Sequence, residues 1–64
     1  MTAAPELSSV ATALSELTGR VGDLAESLSS EARDDLATAL YEVERSLGAA
    51  ARRLQAMVDE LRQG

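Results

Sequence analysis

The chain has 64 residues, enough for one domain and no second, with a formal charge of −5 and neither Cys nor His. Disulfides are thereby excluded and the usual zinc ligands are missing, so oligomerisation is the remaining way to stabilise so small a core. The acidic balance disfavours nucleic acid and anionic membrane surfaces, and charges recur too often for a membrane span or a signal segment.

Aromatic content is 2%, a single Tyr41, and the apolar residues are mainly Leu and Ala. Both are strong helix formers, whereas sheets draw on β-branched and aromatic side chains. The only Pro is Pro5, near the start. All six basic residues are Arg, which together with the Ala content suggests a GC-rich bacterial genome. The expectation is an acidic, bacterial, cytoplasmic, all-α protein.

The first element begins near Pro5. Leu7, Val10, Leu14, Leu17, Val21, Leu24 and Leu28 are spaced alternately by three and four, the heptad signature of a helix that packs along one stripe. The spacing predicts helix 1 over about 5–28. With Leu7 taken as an a position, the stripe is a/d.

The phase then breaks. Leu28 and Leu36 are eight apart where a continuous heptad needs seven, and one straight helix would put Leu24 and Leu40 roughly 160° apart. A turn over about 29–31 resolves the conflict. Ser29 and Ser30 are N-cap types, and Glu31, Asp34 and Asp35 place acids at the start of a second helix.

The second element, about 31–62, repeats the pattern with Leu36, Leu40, Val43, Leu47, Ala50, Leu54, Met57 and Leu61. The two series mirror each other about position 32: Leu28 with Leu36, Leu24 with Leu40, Val21 with Val43, Leu17 with Leu47. Folding there stacks the apolar layers, each pairing an a with a d. Residues 1–64 are therefore read as a single antiparallel two-helix hairpin, coiled-coil-like, that dimerises into a four-helix bundle. Two alternatives stay open. The same mirror serves an antiparallel dimer of long unbroken helices, and Gly19-Arg20-Val21-Gly22 could be the turn, with Asp23 and Glu26 as a capping box.

Positions flanking the stripe are the candidate interface. The e positions, Ala4, Ala11, Thr18 and Ala25 on helix 1 and Ala37, Glu44, Ala51 and Val58 on helix 2, are mostly small. Small side chains let a neighbouring backbone approach, so this side is expected to contact a partner. The g side, Glu6, Ala13, Arg20 and Ser27 with Ala39, Ser46, Arg53 and Glu60, is more polar. A second candidate is an outer recognition face of Tyr41, Arg45 and Arg52, an aromatic beside arginines.

Nothing in the sequence resembles a nucleophile–base pair, a phosphate-binding glycine loop or a calcium loop, so no enzyme activity, cofactor, metal or small-molecule substrate is expected. Glu26, Ser30 and Arg33 match the start of the E-x3-S-x2-R-x3-Q-x3-D run of helical-hairpin anti-sigma factors that bind a cyclic dinucleotide. Ala37 and Tyr41 occupy its last two places, and no ligand is carried over. Small secreted hairpins of the WXG type share the architecture, but this chain has no Trp. The functional expectation is a self-associating protein–protein interaction module. The alternatives are an adaptor or regulatory subunit docking on a larger protein, anti-sigma- or chaperone-like, and a secreted helical effector.

Overall fold

Pro5 falls in the first turn of a helix, where its missing N–H has no intrahelical partner to lose. In the computed structural model, which describes residues 3–63, helix α1 accordingly runs from Ala3 to Ser30 and carries Glu6 in its first turn. A three-residue turn, Glu31–Arg33, reverses the chain. Helix α2 runs from Asp34 to Gln63 and packs back along α1. At 1.5 Å per residue each helix is about 42–45 Å long, which accounts for the extents of 49 × 14 × 10 Å.

The hairpin excludes the long-helix alternative, and α1 passes through Gly19 and Gly22 without a break, which excludes the turn there. The turn itself lies later than the serines suggest. Ser29 and Ser30 are the last residues of α1, not caps of α2. The Arg33 amide donates to the Leu28 carbonyl (2.9 Å) and the Ala32 amide to the Ser29 carbonyl (3.1 Å). These two bonds form a Schellman cap, which satisfies carbonyls that the helix end would otherwise leave free. Its geometry requires a left-handed residue, and Ala32 takes it, with φ of 62°.

Glycine normally holds that position because a Cβ is strained there. Ala32→Gly is therefore expected to stabilise the hairpin by about 0.5–1 kcal/mol, the relief of left-handed strain outweighing the extra freedom of glycine in the unfolded chain. In a domain this size that raises the thermal midpoint by several degrees. Circular dichroism melting checks it; a lower midpoint would mean that the turn does not place residue 32 in the left-handed region.

Asp34 and Asp35 stand in the first turn of α2, and Arg62 in its last, each favourable for the helix dipole. Arg33 reaches Asp35 (Nε–Oδ1, 3.4 Å), but both side chains are more than half exposed, and such pairs contribute little. The turn is held by its backbone.

What the hairpin buries decides the rest. The buried residues are Ala11, Ala25, Ala37, Ala51 and Val58. All are e positions. Around them Ala4, Leu7, Leu14, Thr18, Val21 and Leu28 on α1, and Leu40, Glu44, Leu47 and Leu54 on α2, are half-buried. The seam is therefore a/e, not a/d, a rotation of roughly 50° about each helix axis from the expected stripe. The physical reason is size. Alanines let two backbones approach toward the short end of helix–helix distances, and every atom along the seam gains contacts that larger side chains would hold apart.

Candidate functional site: an uncovered apolar face

The rotated seam sends the e set inward. It was expected to face a partner, but Ala11, Ala25, Ala37, Ala51 and Val58 are buried between the chain's own two helices, and Ala4, Thr18 and Glu44 are half-buried at the same seam. The close approach that their size permits is used within the hairpin, and they are not an outward docking surface.

Two contacts fix the register. A Cβ built on Gly48 would lie 3.9 Å from Thr18 Cγ2, and one on Gly22 only 2.5 Å from Glu44 Oε2. Thr18 thus reaches Gly48, and Glu44 reaches Gly22, across the seam; with helical side chains leaning toward their own N-termini, the helices mirror about positions 32–33. Gly22 makes room for the Glu44 side chain at the edge of the seam, which explains how a carboxylate occupies an e position. Thr18 turns its hydroxyl back to the Leu14 carbonyl (2.7 Å) and leaves its methyl toward Gly48. Among the described residues no buried side-chain polar atom lacks a partner.

In an antiparallel pair, equivalent heptad letters lie on the same side of the plane containing both helices, because the relating two-fold axis is perpendicular to that plane. The b positions therefore share one face and the d positions the other. On the b face lies an open groove lined by Thr18, Tyr41, Glu44, Arg45, Gly48 and Arg52. It brings Tyr41, Arg45 and Arg52 together, as their spacing suggests, but places Glu44 among the two arginines. With both signs of charge in a solvated groove, it has no built pocket for an anion. A cluster of carboxylates able to hold a metal ion is not found among the described residues.

The d face is different. Val10, Leu17, Leu24, Leu36, Val43 and Met57 are all exposed, Leu24 to 58% and Met57 to 51%. Leu61, an a position near the open end, is exposed as well. Beside them run the half-buried a residues Leu7, Leu14, Val21, Leu28, Leu40, Leu47 and Leu54. Every a and d position of both helices thus contributes to one apolar face along the length of the hairpin. Scattered exposed leucines are ordinary, whereas large contiguous apolar patches are uncommon on monomeric soluble proteins.

Surface area gives the scale. The chain exposes 4742 Å². A folded monomer of 6.7 kDa exposes about 3,900 Å² by the usual scaling with mass. The excess, roughly 800 Å², is what one partner buries in a standard protein–protein interface.

No helix among the described residues is long and apolar enough to cross a membrane. Comparison with protein-family models, with curated proteins and with solved structures yields no match. The reading of function rests on the face itself.

Proposed function

We propose that the chain is a non-enzymatic assembly module whose a/d face stacks on the same face of a second copy, giving a four-helix-bundle homodimer. One observation carries this reading: the Leu, Val and Met side chains of the d positions are exposed and most a-position leucines only half-buried, while the buried set is four alanines and a valine. Such a hairpin buries only small side chains completely in its own core. Removing the leucines from water needs another body, and a heptad face of uniform a/d spacing is matched in period by its own copy.

The excess area is close to one partner's share of a standard interface, enough for a second copy to cover. Docking the face on a larger, unlike protein, as an adaptor would, is the rival that the experiment must separate.

The test is sedimentation equilibrium of the whole chain between about 1 and 100 µM, the range where a modest interface of this kind associates, together with thermal melting at both ends of that range. The expected result is the mass of a dimer at the upper end and a melting midpoint that rises with concentration, because association stabilises the folded state by mass action. A monomer throughout, with an unchanging midpoint, would overturn self-association and leave the rival.

A further inference from the structure

We infer that the two hairpins stack with their turns at opposite ends, about a two-fold axis running across the helices; this deepens the self-association proposed above and rests on it. Two face-to-face arrangements keep all neighbouring helices antiparallel. In one the two-fold axis runs along the helices, the turns lie at the same end, and α1 lies beside α2 of the second copy. In the other the axis runs across the helices, the turns lie at opposite ends, and each helix lies beside its own copy, reversed.

The g positions border the a/d face and become the rim between the copies. Mirroring about positions 32–33 sets Glu6 close to the level of Glu60, Ala13 to Arg53, Arg20 to Ser46, and Ser27 to Ala39. Both acids of the rim are therefore at the open end, both arginines are nearer the middle, and the turn end is neutral.

With turns at the same end, Glu6 lies beside Glu60 of the second copy, and Glu60 beside its Glu6. Four carboxylates then gather at one end with no rim cation at their level. With turns at opposite ends, Glu6 meets Ser27, Ala13 meets Arg20, Glu60 meets Ala39 and Arg53 meets Ser46. No like charges meet. Directly opposed like charges disfavour an arrangement and so help to set which way two copies pair.

The d series fits the same axis. On α1 the reversed pairing matches Val10 with Leu24 and puts Leu17 against itself; on α2 it matches Val43 with Met57 and puts Ala50 against itself. Leu17 and Ala50 lie within one helical turn of the same level, so one transverse axis serves both helices.

The two arrangements predict different neighbours for Leu17. Across the axis it meets the Leu17 of the second copy; along the axis it meets Ala50. Leu17→Cys is expected to form a disulfide-linked dimer on its own, at the parent's dimer concentration. Since Leu17 is 47% exposed in the hairpin, the substitution leaves the seam untouched. An equimolar mixture of Leu17→Cys and Ala50→Cys chains is expected to give each self-linked product and little of the mixed one. Mixed product in excess would overturn the arrangement while leaving self-association standing.

Ser27→Arg gives a second readout that needs no cysteine. It sets two arginines against the two Glu6 side chains only when the turns are at opposite ends, tightening the dimer roughly threefold or more at low salt. No tightening would count against the arrangement. A chain that stays monomeric throughout the sedimentation experiment would remove the reading on which it stands.

Discussion

Ala25→Glu is expected to abolish the fold at 25 °C. Ala25 is 0% exposed, and Ala37, its neighbour in the e set near the turn, 3%. The Ala25 site is fully enclosed and holds only a methyl group. A glutamate there has two outcomes, a carboxylate without partners in the seam or two helices forced apart. Burying an unpaired charge costs several kcal/mol, and a domain of this size has ~3–5 kcal/mol in total. Isolated helices of about 30 residues with three interior glycines hold little structure without the packing between them, so the helical circular dichroism signal should collapse. Ala25→Leu separates size from charge. Overpacking is expected to cost about 1–3 kcal/mol, lowering the melting midpoint without removing the transition. Ala56→Glu, at an exposed position of α2, is the control and should change stability by no more than about 0.5 kcal/mol. If Ala25→Glu kept the parent's helicity and midpoint, the seam would lie on the a/d stripe instead.

The all-helical hairpin was legible because it depends on period alone. Spacings of three and four from Leu7 to Leu28 and from Leu36 to Leu61 admit helices and nothing else, and the break between Leu28 and Leu36 forces a reversal. Which stripe turns inward was not legible in that way. Position a is flanked by apolar d residues on one side and small e residues on the other, and a heptad pattern ranks the larger side chains as core. Packing ranks differently when small residues occupy most e positions, Ala4, Ala11, Thr18 and Ala25 on α1 and Ala37 and Ala51 on α2, since small side chains let two backbones approach where leucines hold them apart. The run of small residues was visible; that it served the chain's own hairpin was not. The turn was displaced for a related reason. Ser29 and Ser30 look like caps, and no glycine marks the left-handed residue, because Ala32 takes that role at some cost. Glu44 in the seam is intelligible only once Gly22 is seen beneath its carboxylate.

Exchanging the stripes moves the surface on which association should depend. Leu17→Glu combined with Leu24→Glu is expected to abolish self-association while leaving a hairpin. Both leucines are about half exposed in the single chain, so charged replacements there remain hydrated and leave the alanine seam intact. In the dimer each faces the second copy. The two substitutions together remove apolar burial of about 1.5–3 kcal/mol per side chain and set carboxylates in a face with no partner for them. Since both copies change, the association constant should fall by more than a hundredfold, a loss of about 2.7 kcal/mol or more. Three observations define the outcome: the mass of a monomer at 100 µM, on the order of the upper limit used for the parent, a melting midpoint independent of concentration, and a helical signal that persists near 15 °C, about where small domains are most stable. The last separates this variant from Ala25→Glu, which loses its helices at any concentration. A double variant that still sediments as a dimer would exclude the d face and direct attention to the opposite side of the hairpin, where Tyr41, Arg45 and Arg52 share their groove with Glu44.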